Sequence, residues 1–140
     1  MRVILLSSVF KLISNIIYAQ QIEITISNIR NTEGNILLSF YTNPDSFPYH
    51  PEIKKIVEKT QIIDGNLNVN FNEFEPGEYA ITLLDDDNSD GDMNYKFFLP
   101  KEGYGFSDYM HSGLLIPSFT DCSFVLSDTN TKVYINVTYF

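Results

Sequence analysis

Tryptophan is missing from this chain of 140 residues, cysteine occurs once and histidine twice. A single thiol, Cys122, excludes an intramolecular disulfide framework and any multi-cysteine zinc site, so a core or some other ligand must hold the fold. Basic residues are scarce as well: 9 Lys and Arg stand against 18 Asp and Glu, a net charge of −9. Binding a phosphate backbone needs basic surface, so no nucleic-acid partner is expected. Long apolar runs are confined to the first nineteen residues. What is present is a composition that folds, with 44% hydrophobic and 14% aromatic residues, unlike a disordered acidic tail. The length suits one domain.

Met1 and Arg2 make a short positive start, Val3 to Ile17 is mostly apolar, and Ala19 precedes a plausible cut before Gln20. Residues 1–19 read as a signal peptide and 20–140 as a single domain, secreted or periplasmic. The apolar stretch is shorter than the ~20 residues of a membrane span and carries Lys11 and Asn15, so no span is expected after cleavage. Cleavage removes Arg2 and Lys11 and no acid, which takes the net charge from −9 to −11.

In the remaining chain Ile22, Ile24 and Ile26 alternate with Glu23, Thr25 and Ser27, the period of a half-buried strand. Asn31 to Gly34 is turn chemistry, and Ile36 to Tyr41 reads as a second strand forming a hairpin with the first. Ile53, Ile56 and Val57 fall at helical spacing behind Pro51, which predicts one short helix. Thr60 to Ile63 and Leu67 to Phe71 flank Asp64-Gly65, a strong tight-turn pair. Tyr79 to Leu84 follows the turn Glu75-Pro76-Gly77, and Tyr79 suits either a tyrosine corner or a plain core position. Phe119 to Leu126 and Lys132 to Phe140 complete about seven strands, an all-β chain with one short helix. The expected fold is a single antiparallel β-sandwich, immunoglobulin-like or transthyretin-like.

Asp85, Asp86, Asp87, Asp90 and Asp92 place five carboxylates within eight residues and no base among them. At ~6 Å in water each like-charge pair costs about 0.7 kcal/mol before screening, a strain that a divalent cation would offset. Asp86-x-Asn88-x-Asp90-Gly91 sets oxygen ligands on alternate residues and then a glycine for the bend, the first half of an EF-hand loop. Asp92 can add a backbone carbonyl and Asn94 a side-chain oxygen. The twelfth position is Phe97, where an EF-hand has its bidentate Glu, so this is not an EF-hand. An all-oxygen set suits calcium, in a structural role, better than zinc or copper. The plain alternative is a solvated acidic turn.

Phe97, Phe98, Tyr104, Phe106, Tyr109 and Phe119 crowd the stretch after this loop. Tyr104, Phe106 and Tyr109 are the candidate ligand surface, for a glycan or protein partner, with core packing as the alternative. Gly103-Tyr104-Gly105 lacks the third glycine of a dinucleotide fingerprint and reads as a flexible turn. His50 and His111 are single loop histidines expected in solvent, and Cys122 between Phe119 and Phe124 reads as a small buried side chain.

Asp86-x-Asn88-x-Asp90-Gly91, the later string Pro100-Lys101-Glu102-Gly103-Tyr104-Gly105-Phe106-Ser107 and the earlier Phe71-x-x-Phe74-x-Pro76-Gly77-x-Tyr79 together resemble the secreted bacterial family DUF2141. The resemblance implies a signal peptide and one β-sandwich-like domain, and it carries no established function. Family members commonly have His where this chain has Asp85, and a Gly before the proline where it has Phe98 and Leu99. The expectation is a secreted, non-enzymatic β-sandwich domain with a structural calcium loop. The competing expectation is a carbohydrate- or peptide-binding module built on the Gly-Tyr-Gly-Phe segment.

Overall fold

A computed structural model describes residues 20–140; the expected leader, residues 1–19, lies outside the described residues. Ile22, Ile24 and Ile26 do share one buried face of β1 (Ile22–Ser27), as their alternation requires. That strand is the centre of a three-stranded sheet, flanked by β4 (Leu67–Phe71) and β10 (Thr131–Asn136). The larger sheet runs in the order β3 (Ile53–Glu58), β2 (Asn35–Tyr41), β5 (Gly77–Asp86), β8 (Gly103–Phe106). The two-residue strands β6 (Tyr95–Lys96) and β7 (Leu99–Pro100) form a hairpin of their own, and β9 (Phe124–Leu126) pairs with the start of β5.

One cluster of buried side chains joins the two larger sheets: Ile24, Val133 and Ile135 from the small sheet meet Ile36, Leu38, Phe40, Ile81 and Leu83 from the large one. The fold is therefore all-β and sandwich-like, with ten strands among the described residues where the sequence suggested about seven. Most pairings are antiparallel, but β1 and β10 run parallel. The expected hairpin between the first two strands does not form, because β1 pairs with β4 and β10 while β2 pairs with β3 and β5 in the opposite sheet. The chain crosses between sheets at Asn28 to Asn31, where Asn28 takes φ 64 and donates to the Val137 carbonyl at 2.7 Å.

The helix expected after Pro51 is strand β3. Its β-branched Ile53, Ile56 and Val57 suit an extended edge that bonds only to β2, and with Ile56 exposed little apolar alternation is visible. The short helix lies instead at α1 (Phe119–Cys122), inside the expected strand, where Ser118 and Asp121 make a reciprocal capping box. Asp64 and Gly65 do form the tight turn, both at positive φ, but Thr60 to Ile63 contributes only an isolated bridge between Ile63 and Asn66. The Tyr79 hydroxyl donates to the Glu75 carbonyl at 2.7 Å, which gives this side chain a corner role as well as its core position.

Strand β2 is buried on both faces, which explains why its sequence does not alternate. Leu37, Ser39 and Tyr41 of β2, with their neighbours Ala80, Thr82 and Leu84 of β5 and Tyr104 and Phe106 of β8, face away from the main core. A second buried cluster, Tyr41, Ala80, Phe106, Phe119 and Cys122 with Phe47, Tyr104 and Tyr109 around it, covers part of that outer face. Gly103 and Gly105 are thus not a flexible turn. They are alternate residues of β8, and a Cβ on Gly105 would stand 2.7 Å from the Asn136 carbonyl oxygen, while one on Gly103 would collide with Tyr139 and Val137. The missing side chains let β8 lie close against the end of the small sheet, to which Tyr104 and Thr138 are joined by two backbone hydrogen bonds of 3.1 and 2.8 Å.

Candidate functional site

The end of β5 sends its acids in two directions, as strand alternation dictates. Asp85 is fully buried, ion-paired with the equally buried Lys59 and hydrogen-bonded by the Tyr139 hydroxyl. Its Oδ1 accepts no well-aligned hydrogen bond and meets the Lys59 ammonium as an ion contact. Burial first, and then the bond to Asp85, pushes the Tyr139 phenol well above its ordinary range. Asp87 turns to the same cations, with Arg30 at 2.6 Å and Lys59 at 3.3 Å. Partial burial alone would raise the Asp87 carboxyl, but the hydrogen bonds from Arg30 and Lys59 outweigh it and hold the group below the usual range. The Arg30 guanidinium also lies 4.5 Å over the Tyr139 ring.

Asp86 points the other way and organises the loop. Its Oδ1 accepts from the Asp90 N–H at 3.2 Å and its Oδ2 from the Gly91 N–H at 2.8 Å, with Gly91 in the left-handed region at φ 82. Around the bend, the Asn88 amide donates to Asp90 Oδ2 at 2.9 Å and to Asn94 Oδ1 at 2.8 Å, and Asn94 donates to Asp90 Oδ2 at 3.1 Å. The Asp92 N–H donates to Asp90 Oδ1 at 2.9 Å. That bond, with those of Asn94 and Asn88, lowers the Asp90 carboxyl although it is exposed. The predicted ligand residues thus share one loop, but their oxygens do not converge on a common point: those of Asp90 and Asn94 accept from the Asn88 amide nitrogen, those of Asp86 from the loop N–H groups, and the Asp92 side chain is in solvent. Among the described residues no group of three or more His, Cys, Asp and Glu side chains is placed to hold a metal ion.

One carboxylate invisible to the loop pattern completes the picture. Glu102, only 4% exposed, reaches back from the far side of the β6–β7 hairpin and accepts from the Asn94 N–H at 3.0 Å. The same Asn94 closes the hairpin base, its carbonyl accepting from the Lys101 N–H at 2.8 Å.

Beyond the hairpin the outer face of the large sheet opens into a cleft of about 440 Å³. Leu37, Ser39, Thr82, Leu84, Tyr104 and Phe106 line it from the strands, Met93, Tyr95, Phe98 and Pro100 from the hairpin, and Leu114 and Ile116 from the loop beyond β8. Two of the predicted aromatic residues are therefore in the cleft, while Tyr109 packs against the Phe106 ring at a centroid distance of 6.5 Å. His111 is not solvated as expected. It is buried beneath the cleft, with Nδ1 3.3 Å from the Tyr104 hydroxyl and Nε2 2.7 Å from the Leu115 carbonyl oxygen. His50 is exposed. Cys122 is buried, as expected, in α1 rather than in a strand, and burial first pushes its thiol up to about 12.

The hairpin tip is unusual. Phe97 and Phe98 occupy the turn at φ 50 and 67 and stand 85% and 96% exposed. Left-handed backbone in two bulky residues is strained, and tight turns of this kind normally carry Asn or Gly. No helix among the described residues is long and apolar enough to cross a membrane.

No curated protein and no solved structure matches the chain significantly. A family model does, over residues 24–134, and its description reads "Uncharacterized protein conserved in bacteria (DUF2141)". With most of its length matched, the chain belongs to the DUF2141 family of bacterial proteins.

Proposed function

We propose that this protein is a secreted, non-enzymatic binding module whose cleft takes a ligand with a flat apolar face, as a pyranose ring or the aromatic side chain of a peptide offers. The observation that carries the reading is the pairing of this cleft with a strained hairpin tip that holds Phe97 and Phe98 in solvent. Strain of about 1–3 kcal/mol per residue and exposed aromatic surface both work against stability, which points to use in binding. Tyr104 and Phe106 supply rings, and the Tyr104 hydroxyl supplies a polar handle beside them. Both ring nitrogens of His111 are engaged within the protein, so it serves as a support for Tyr104 and the 113–115 loop rather than as a general base.

The test is binding of the purified protein to arrays of soluble glycans and of aromatic peptides. Retained ligands should be lost on Tyr104→Ala and weakened on Phe98→Ala. An empty array, or retention indifferent to both substitutions, overturns the reading. Replacing Phe97 and Phe98 together by Asn and Gly should stabilise the fold by about 1 kcal/mol or more while weakening retention, a split that thermal melting and the array read separately.

A second reading concerns the acidic loop, which we propose binds calcium. It is supported by the meeting of the Asp86, Asn88, Asp90 and Asn94 side chains around one bend, with ligand oxygens on alternate residues, where an ion would displace the Asn88 amide nitrogen from the Asp90 and Asn94 oxygens.

A further inference from the structure

We propose that the free edge of β3 pairs antiparallel with the same edge of a second copy of this chain, about a two-fold axis at Ile56. The large sheet has two edges, and among the described residues only one is closed. At β8 the outer edge is occupied, since Tyr104 and Thr138 exchange two backbone hydrogen bonds. In the small sheet the outer edge of β10 is capped in a similar manner: the Asp108 N–H donates to the Tyr134 carbonyl at 2.8 Å, and the Asp108 carboxylate accepts from the Tyr134 N–H at 2.9 Å. Strand β3 bonds to β2 along one side and to nothing on the other among the described residues, which leaves a row of backbone donors and acceptors for a further strand. Strand β4 is also an edge, but its exposed residues are Asn68 and Asn70, with no charge to set a register.

What selects a second copy is the pattern of side chains. Lys54, Ile56 and Glu58 share one face of β3 and all three are exposed, Ile56 by 70%. Neither Lys54 nor Glu58 has an ion pair among the described residues. Their order along the strand is positive, apolar, negative at equal spacing, so the stripe is its own complement when reversed. With the axis at Ile56, the two Ile56 side chains cover each other, and Lys54 of each copy stands opposite Glu58 of the partner subunit. The neighbouring two-fold registers are opposed by charge: an axis at Lys55 sets Lys55 against its own copy, and an axis at Val57 sets it against Lys59. Charges that merely blunt an edge need carry no such symmetry. On the opposite face Lys55 keeps its ion pair with Glu73. Because Ile56 pairs with Leu37, a residue of the cleft, the two clefts open on the same side of one continuous sheet.

Sedimentation equilibrium of the purified protein, together with amide hydrogen exchange at low and high protein concentration, tests this. A contact of this small size should give a monomer–dimer equilibrium with a dissociation constant on the order of 10–100 μM, and exchange at residues 53–58 should slow as dimer accumulates. Lys54→Glu sets like charges opposite each other at two symmetric places and should weaken the dimer about tenfold or more, as should Glu58→Lys. The double variant Lys54→Glu with Glu58→Lys restores opposite charges across the axis and should dimerise as the wild type does. All three positions changed are exposed or lie beside exposed ones, so circular dichroism and melting of the dilute monomer should be unaltered, and the rescue by the double variant excludes a folding defect as the cause. A wild type that stays monomeric up to about 1 mM overturns the proposal. So does a dimer indifferent to the single variants or one whose β3 amides exchange as in the monomer, and failure of the double variant to restore it overturns the register at Ile56.

Discussion

Asp85 and Glu102 are both buried carboxylates at the same end of the larger sheet, and their surroundings are opposite. Asp85 has Lys59 and Tyr139 against it, with Arg30 behind through Asp87. Glu102 has one backbone N–H and no cation among the described residues. The chain thus neutralises one group of acids with its own scarce bases and holds the second, Asp86 and Glu102, by backbone N–H groups. Because neighbouring strand residues face opposite sides, a run of three aspartates is divided between the two groups within a single turn of the pleat.

The difference can be broken most severely at Lys59. Lys59→Ala strands Asp85 as an unpaired buried charge and should lower unfolding free energy by about 3–5 kcal/mol in a denaturant titration, whereas Glu102→Gln in chelator should lower it little or not at all. A loss of the same size in both variants would show that Glu102 has a partner in the apo protein. Acid gives an intermediate effect. The Asp87 carboxyl is lower in the folded than in the unfolded protein, so its contribution is full above the ordinary carboxylate value and is lost as pH falls through the folded one. Melting temperature should therefore fall below about pH 4, and Arg30→Met should flatten that slope. The smallest effect belongs to Asp92→Asn: only the backbone N–H of Asp92 is engaged, so stability should stay within about 0.5 kcal/mol and calcium affinity should barely move. A large loss of affinity there would bring the Asp92 side chain into the ligand set.

Those contrasts also mark where the sequence was legible. Alternation identified β1 and β10 because each buries one face against the main core, the turn Glu75-Pro76-Gly77 announced β5, and Asp64-Gly65 located its turn because both residues tolerate positive φ. Strand β3 carries a helical signature because an edge strand with little buried surface displays no period of two, and Ile53, Ile56 and Val57 happen to fall three and four apart. The acidic loop was readable from local spacing. Glu102 was not, because its relation to Asn94 exists only after a hairpin folds the chain back, and an isolated Glu beside Lys101 looks like surface. His111 was missed for a similar reason: its partners Tyr104 and the Leu115 carbonyl are assembled by tertiary structure. The one local signal for the cleft was the improbable Phe97-Phe98 pair in a turn, which composition alone presents as two more aromatics.

The parallel register of β1 and β10, from Ile22 opposite Thr131 to Ser27 opposite Asn136, sets a condition on the order in which this protein is built. The central strand of the small sheet waits for a neighbour that is synthesised at the other end of the domain, so half of its hydrogen bonds cannot form on a growing chain. Pairing at such sequence separation is slow, because the whole intervening loop must close first. Until it closes, one edge of β1 carries unpaired backbone N–H and C=O groups. The domain is thereby kept in an unfinished, extensible form for as long as its last strand is withheld.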